Sequence, residues 1–200
     1  MGQALAKPRF DRAAFLDWEA TQEGKNEYCA GEVFAMVGAR QAHVVVSGSL
    51  YARFREHLQG TRCRAYVSDM KLEVEAADAV FYPDVMVSCD EADRRAELAL
   101  RSPCLIVEVL SDSTAATDRG AKAAAYRQIA SLAEYLLVDI DARRLELQSR
   151  QGEDWLLQES KPQRPWVELR SIGLRLTLQE AFGDLDEPPA AAGTGAAAGG

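Results

Sequence analysis

Two carboxylates, Asp84 and Glu108, are the side chains whose setting most clearly suggests chemistry. Asp84 follows Tyr82-Pro83, and Glu108 lies inside the apolar run of residues 104–110. An unpaired carboxylate rarely lies in such a run, because burial of its charge costs several kcal/mol or keeps it protonated. A bound cation would remove both costs. Two oxygen ligands on neighbouring strands, with Lys122 on a following helix, are typical of magnesium-dependent phosphodiester hydrolysis.

Each of these residues also has an ordinary structural explanation. Asp84 alone is most simply an aspartate in a turn after proline, and Lys122 a solvated lysine on an alanine-rich helix. For Glu108, a functional and a structural role are about equally consistent with the sequence. Lys71 competes with Lys122 for the role of catalytic lysine, because it shares a predicted strand face with Asp69. The hypothesis of a metal-dependent site therefore rests on Asp84, Glu108 and Lys122 together, and not on any one of them.

Composition indicates one globular domain, which we place at residues 1–182. The chain has 200 residues, of which 48% are hydrophobic and 27% charged, enough to bury a core. Residues 183–200 are rich in proline, alanine and glycine, so we expect a disordered tail. No apolar run approaches the roughly 18 residues of a membrane span, and the first 20 residues contain no signal-peptide core. We therefore expect a cytoplasmic protein without a membrane partner.

The cysteines, histidines and net charge narrow the possible chemistries. The four cysteines form no Cys-x-x-Cys pair, which favours reduced, partly buried thiols over disulfides or a zinc site. Only two histidines occur, so histidine-rich metal chemistry and a Ser-His-Asp triad have little support. A net charge of -8 is unfavourable for binding nucleic acid, although short arginine-rich stretches could form a local basic patch. No phosphate-binding glycine loop and no serine elbow is found.

Hydrophobic periodicity predicts alternating helices and strands, and therefore an α/β fold. The predicted helices cover residues 10–19, with Asp11 as a candidate cap, then 41–58 and 118–129. The predicted strands cover residues 28–37 (as a strand pair around Gly31 or as one strand with a bulge), 64–74, 80–87, 104–110 and 135–140. A hairpin of residues 144–149 and 155–159 is expected beside the main sheet, and a charged connection with one helical turn at 88–101. One last apolar segment ends at Phe182.

This order of elements is that of the restriction-endonuclease-like core, in which carboxylates on the second and third strands meet a metal. The chain also resembles a bacterial endonuclease family of the Uma-two type, from about Asp11 to Phe182. The segments that carry the resemblance are residues 28–36 with Gly31-Glu32, 68–72, Tyr82-Pro83-Asp84-Val85, 103–111 with Glu108, 118–126 with Lys122, and 134–139. The resemblance implies a mixed β-sheet flanked by helices, with an added C-terminal β-hairpin.

The resemblance also implies a site of the Pro-Asp…Glu-x-Lys kind. Asp84 and Glu108 would hold Mg²⁺, with Mn²⁺ as a possible substitute. Leu110 stands where that pattern has lysine, and the family places its lysine on the following helix, where Lys122 matches. Lys122 would orient or deprotonate the attacking water and stabilise the phosphate charge. Glu32 would be a further acidic group reaching the metal, or else a surface residue beside a glycine turn.

The expected activity is metal-dependent hydrolysis of DNA phosphodiester bonds, with duplex DNA as substrate. A homodimer is expected, because two sites are needed to cut two strands and the hairpin offers an exposed edge. The alternative is a catalytically silent nucleic-acid-binding or structural descendant of the same fold, which the acidic charge and the missing lysine favour. A hydrolase of smaller phosphate esters is a third possibility. His43 could contact substrate, and Tyr126 is expected in the core.

Overall fold

The computed structural model describes residues 11–36 and 38–185. The helices are α1 (Arg12–Glu19), α2 (Gln41–His57), α3 (Glu91–Arg95), α4 (Ala115–Thr117), α5 (Ala123–Tyr126) and α6 (Leu178–Phe182). The strands are β1 (Asn26–Cys29), β2 (Glu32–Ala35), β3 (Arg64–Val67), β4 (Lys71–Val74), β5 (Ala79–Phe81), β6 (Val85–Ser88), β7 (Ala99–Leu100), β8 (Leu105–Leu110), β9 (Glu134–Asp139), β10 (Arg144–Gln151), β11 (Asp154–Glu159), β12 (Trp166–Leu169) and β13 (Leu174–Thr177).

A six-stranded mixed sheet, in the order β11-β10-β9-β8-β6-β3, forms the centre of the fold. Strands β8 and β9 are parallel, and the other neighbours are antiparallel. All six residues of β8 are buried, as expected for a strand covered on both faces. The mixed α/β class predicted from the sequence is therefore confirmed.

The two faces of this sheet are covered by different partners. On one face, Leu105, Val107 and Val109 belong to a core with Leu50 and Phe54 of α2. The side chains of Ile106, Glu108 and Leu110 alternate to the other face. There a second core contains residues of β4, β5 and α5, among them Leu72, Phe81 and Tyr126. Glu108 therefore faces this second core, which lies between the central sheet and a second sheet.

A second sheet of five strands, in the order β2-β1-β5-β4-β7, packs on that face. The sequence predicted one strand at residues 64–74 and one at 80–87, and both predictions are wrong. Each segment divides into two strands, one in each sheet. The second division falls at Pro83, which has no N–H to donate to a ladder. The two crossings lie side by side, since the Ser68 N–H donates to the Asp84 carbonyl at 3.1 Å.

Strands β1 and β2 form the predicted hairpin around Gly31; Val37, within the predicted range, lies outside the described residues. The turn of the β1–β2 hairpin has positive φ at Ala30 (48°) and Gly31 (91°), as two-residue hairpin turns of this kind require. Tyr28 stacks on Phe15 of α1 with ring centroids 5.2 Å apart. Asp11 caps α1 by accepting from the Ala14 N–H at 2.8 Å, as predicted.

The C-terminal part adds two hairpins. The predicted hairpin exists as β10–β11, but it extends the central sheet instead of lying beside it. The last apolar segment forms a separate hairpin, β12–β13, followed by α6. Gly183–Leu185 form a helical turn, so the ordered chain continues past the predicted start of the tail at residue 183. The rest of that predicted tail, residues 186–200, lies outside the described residues.

The cysteines depart from the sequence-based expectation. Cys63 and Cys89 form a disulfide, although no disulfide was predicted from their spacing. Strands β3 and β6 pair Arg64 with Ser88, so these cysteines are the next pair in register. Cys104, at the start of β8, is a free thiol whose Sγ lies 3.7 Å from Sγ of Cys89. Burial raises its pKa to about 11, which keeps it protonated near neutral pH.

Helix α6 begins with a capping box that makes a pH-dependent contribution to stability. The Thr177 hydroxyl and backbone N–H both donate to the Glu180 carboxylate at 2.9 Å, and Arg53 donates to it at 2.8 Å. Burial raises the pKa of Glu180, but these hydrogen bonds outweigh it and lower the pKa overall. This contribution is therefore present above the unfolded-state pKa of about 4.3 and is lost as pH falls through the folded value.

We expect Glu180→Gln to lower the free energy of unfolding by about 1 kcal/mol at neutral pH, and by much less near pH 3. Urea denaturation of both proteins across this pH range measures the difference. Glu168→Gln is the matched control, because Glu168 pairs with Arg175 on an exposed hairpin. A Glu180→Gln effect that is the same at both pH values would contradict the prediction.

None of the helices within the described residues is long and apolar enough to cross a membrane.

Candidate active site

Strand pairing brings Asp84 and Glu108 together. Strand β6 pairs Val85 with Val107 of β8, so Asp84 and Glu108 are the next positions in the same register. The Asp84 N–H lies 3.4 Å from Glu108 Oε2, and Asp84 Oδ2 accepts a hydrogen bond from the Val109 N–H at 2.7 Å. Two carboxylates that are 24 positions apart in sequence are thus neighbours at the crossing between the sheets.

Lys122 lies among three carboxylates. Its Nζ is 2.9 Å from Glu27 Oε1, 3.3 Å from Glu108 Oε1 and 3.6 Å from Asp118 Oδ1. Only 6% of Lys122 is exposed, so this is a buried ion-pair cluster. We call Glu27, Glu108, Asp118 and Lys122 the carboxylate–lysine cluster. The predicted convergence of Lys122 with Glu108 is therefore present.

A π-helical turn brings Lys122 to this position. The predicted helix of residues 118–129 is observed as a π turn at Asp118–Lys122 followed by α5, which ends at Tyr126, and α4 directly precedes the π turn. A π turn inserts one extra residue per turn and shifts the side chains that follow around the helix axis; such turns are frequent at functional sites. Both ends of this turn, Asp118 and Lys122, point into the carboxylate–lysine cluster.

Tyr126 adds a hydrogen bond to the same carboxylate. Its hydroxyl donates to Glu108 Oε1 at 2.7 Å, and the ring is fully buried. The sequence predicted a packing role, which is confirmed, but not this bond. The sequence signal for this bond was that Tyr126 lies four residues after Lys122. Helical residues with this spacing share a face, so Tyr126 was expected on the same face as Lys122.

His43, at the start of α2, contacts the other carboxylate. Its Nε2 lies 3.3 Å from Asp84 Oδ2. Burial lowers the pKa of His43, but the Asp84 carboxylate and a hydrogen bond to the Val109 backbone raise it above its ordinary value overall. Asp84 is therefore held by a backbone N–H on one side and by an imidazole on the other.

The third acidic side chain of the cluster is Glu27, and the structure does not bring the predicted Glu32 to it. Glu32 is exposed at the start of β2, opposite Cys29. Glu27 of β1 reaches Lys122 and also accepts from the Tyr82 N–H at 3.1 Å. The available signal was strand alternation, because burial of Tyr28 on the α1 side directs Glu27 to the opposite face.

Lys71, the competing lysine, lies with its Nζ 5.5 Å from the centre of the Tyr82 ring. Asp69 is exposed and forms an ion pair with Lys25. The geometry therefore favours Lys122 over Lys71 as the lysine of the site.

Burial and charge determine the protonation of the cluster. Burial raises the pKa of Glu108 well above its ordinary value, and the Lys122 ammonium opposes this only in part. Burial likewise raises the pKa of Asp118, whose Oδ1 has no hydrogen bond from the described residues. Burial lowers the pKa of Lys122, but the three surrounding carboxylates outweigh it and raise the pKa overall. The surrounding carboxylates therefore favour the ammonium form of Lys122.

The donor set at Asp84 and Glu108 fits a magnesium ion that keeps most of its other ligands as water. Magnesium is commonly bound by one or two carboxylates together with waters and substrate phosphates. No group of three or more histidine, cysteine, aspartate or glutamate side chains in the described ranges is arranged to hold a metal by itself. The excess of carboxylates over the single ammonium also favours a cation here.

The fold matches that of a solved protein structure. A solved structure described as a "putative nuclease belonging to DUF820" from Anabaena variabilis has the same fold, with a TM-score of 0.74 and 16% sequence identity. The match covers 88% of this chain and 99% of that chain. An identity this low shows the fold alone.

The family is shown by sequence. The Uma2 family, described as "Putative restriction endonuclease", matches residues 12–179, and the chain belongs to this family. The chain is 36% identical to uncharacterized protein slr1290 of Synechocystis sp., over 88% of this chain and 92% of that protein. It is 35% identical to uncharacterized protein sll1609 of the same organism, over 74% of this chain and 85% of that protein. The resemblance predicted from the sequence is thereby confirmed.

Proposed function

We propose that this protein is an endonuclease that hydrolyses DNA phosphodiester bonds with Mg²⁺ bound by Asp84 and Glu108. The observation that carries the proposal is the convergence of these two carboxylates with the buried Lys122. A divalent cation bound there would lower the pKa of a bound water and polarise the phosphate, with Mn²⁺ as a substitute. Such chemistry needs the two carboxylates ionised, which burial alone opposes at Glu108.

The chain's own residues would position and stabilise the reacting groups. The Val109 N–H and His43 fix the orientation of Asp84, and the Tyr126 hydroxyl fixes that of Glu108. Lys122, kept protonated by Glu27 and Asp118, would donate a hydrogen bond to the attacking water or to the developing phosphate charge. Its raised pKa favours the orienting role over the deprotonating role that the sequence left open, since an ammonium cannot accept a proton.

The test is cleavage of supercoiled plasmid and of single-stranded DNA with Mg²⁺ or Mn²⁺, for the wild type and Asp84→Asn. We expect metal-dependent nicking that falls by about 10³-fold in the variant, because the amide is a poor ligand. His43→Gln is the comparison: it retains both carboxylates and should reduce cleavage by a smaller factor. A folded wild type that neither cuts DNA nor gains thermal stability with either metal would refute the proposal.

The competing hypothesis is a catalytically silent nucleic-acid-binding or structural relative. It rests on the net charge of -8 and on Leu110, where the nuclease pattern has lysine. The 3.3 Å contact of Lys122 with Glu108 supports catalysis instead, because it supplies the ammonium from the helix. The plasmid assay separates the two hypotheses, since a silent protein would leave the plasmid uncut with either metal.

We also propose a homodimer in the cytoplasm. Edge strand β11 exposes Leu156 and Leu157, at 52% and 55%, and a second copy would cover them. Sedimentation of the wild type and of Leu157→Lys tests this interface, and the finding that both proteins are monomers would refute it.

In a reducing cytoplasm Cys63 and Cys89 would be thiols, which alkylation of intact cells followed by mass spectrometry would detect.

A further inference from the structure

Three of the four cysteines meet at one end of the central sheet. Cys63 precedes β3, Cys89 follows β6, and Cys104 precedes β8. Cys63 and Cys89 form the disulfide, and Cys104 Sγ lies 3.7 Å from Cys89 Sγ. A disulfide that only joins two strands needs no third thiol in contact with it. Cys89 therefore lies between two possible disulfide partners.

A cavity gives small molecules access to these sulfurs. Its volume is about 550 Å³, within the range of small-molecule sites, and Cys89 and Cys104 both line it. Cys63 is not among the described residues that line it. A molecule in the cavity would therefore reach the disulfide from the side of Cys89, with Cys63 as the sulfur that leaves.

Two arginines of the same cavity are available to an anionic ligand. Arg62 and Arg94 line it, and neither guanidinium forms a hydrogen bond or ion pair within residues 11–36 and 38–185. Asp90 and Glu91 also line the cavity, but Asp90 caps the start of α3 and Glu91 pairs with Arg95. The cavity thus offers two cations to carboxylates, next to a sulfur that can exchange.

Cys104 does not open the disulfide readily by itself. Burial raises the pKa of Cys104 to about 11, and its thiol donates to the Val87 carbonyl at 3.4 Å. The thiolate is the nucleophile in disulfide exchange, so a thiol that stays protonated attacks slowly. The faster reaction at Cys89 therefore needs a partner that enters from the cavity.

We propose that Cys89 is a site of thiol–disulfide exchange with a small disulfide whose carboxylates bind Arg62 and Arg94. In the reduced protein, the Cys89 thiolate attacks one sulfur of the small disulfide, which forms a mixed disulfide and releases one thiol. Cys63 then attacks the Cys89 sulfur, which forms the Cys63–Cys89 bond and releases the second thiol. The protein loses two electrons, which the small disulfide gains, and the two cysteine protons end on the released thiols.

The position of exchange is tested with glutathione disulfide as the probe. The reduced full chain is incubated with it, quenched with acid, and mapped by peptide mass spectrometry. We expect the wild type to form the Cys63–Cys89 disulfide. Cys63→Ser should instead hold glutathione on Cys89 or form a Cys89–Cys104 disulfide, and either product identifies Cys89 as the reacting residue. Cys29→Ser is the control, because Cys29 is a free thiol in the other sheet.

The role of the arginines has its own readout. Arg62→Gln combined with Arg94→Gln should slow the reaction with glutathione disulfide by about tenfold, because a cleft of one charge concentrates ligands of the other. The reaction with the neutral bis(2-hydroxyethyl) disulfide should change by less than about twofold. Arg55→Gln is the matched control, since Arg55 is exposed on α2 and does not line the cavity.

Three results would overturn the inference. One is a reduced wild type that forms no disulfide with the probe, and another is glutathione distributed equally over Cys29 and Cys89. The third is equal slowing of the charged and the neutral disulfide in the arginine variant. None of these results depends on cleavage of DNA, so the proposed function stands or fails separately.

Discussion

Replacing Lys122 by methionine is expected to destabilise the protein by about 3–5 kcal/mol at neutral pH, because it leaves buried carboxylates without a counter-charge. Glu108 and Asp118 are 3% and 2% exposed, and Glu27 is also held against this ammonium. Methionine keeps the length of the side chain and removes only its charge. Urea denaturation in EDTA measures the loss, which should shrink at about pH 5, where the remaining carboxylates can bind protons.

A second substitution distinguishes lost charge from lost packing. Adding Glu108→Gln to Lys122→Met should recover a substantial part of the stability, because it removes one of the uncompensated charges. Lys71→Met is the matched control, since Lys71 lies over Tyr82 and outside the cluster. If Lys122→Met is equally destabilising at both pH values and is not relieved by Glu108→Gln, the loss is one of packing.

Glu108→Gln alone is expected to have the opposite profile: a large loss of activity with the fold retained. Metal-dependent cleavage should fall by about 10³-fold, because an amide cannot supply the second anionic ligand. The glutamine oxygen can still accept the hydrogen bond from Tyr126, and no buried carboxylate remains at this position. The free energy of unfolding without metal should therefore change by only about 1 kcal/mol or less.

The matched control for Glu108→Gln is Glu134→Gln on the neighbouring strand β9. Glu134 is also buried, at 2% exposure, and accepts hydrogen bonds from the Arg170 and Ser171 N–H groups at 2.9 Å. It should lose stability but retain cleavage, because it ties β9 to the β12–β13 hairpin and lies outside the carboxylate–lysine cluster. Equal loss of cleavage in both variants would indicate that the effect is structural and would contradict the assigned role of Glu108.

Sequence reasoning identified the residues whose burial is chemically unusual. Glu108 is conspicuous because a carboxylate inside an apolar strand requires a partner, and Asp84 follows a proline at a strand boundary. Glu27 and Asp118 are as deeply involved, but alternation shows only that Glu27 faces away from α1, and nothing local marks Asp118. Their participation depends on the register of the β1–β2 hairpin and on a π turn, which are set by packing across the whole molecule. Glu32 lies five positions from Glu27 and is exposed, as in the surface alternative that the sequence left open.

The strands show the same limit. Alternation predicts that residues 64–74 and 80–87 are extended, and most of them are. It does not say which sheet a segment joins, because pairing partners are distant in sequence. Pro83 was the one available mark of a break. The Cys63–Cys89 disulfide follows from the same register of β3 and β6, and cysteine spacing alone could not reveal it.

The division of the site between two sheets has an evolutionary consequence. The proposed metal ligands belong to the central sheet, where β6 and β8 are buried on both faces and few substitutions are tolerated. The β1–β2 hairpin belongs to the other sheet and packs through a separate small core of Phe15, Tyr28 and Val80. Substitutions on its outer face therefore cost little folding free energy. Relatives of this protein could thus vary the outer face of this hairpin while keeping Asp84 and Glu108 in place.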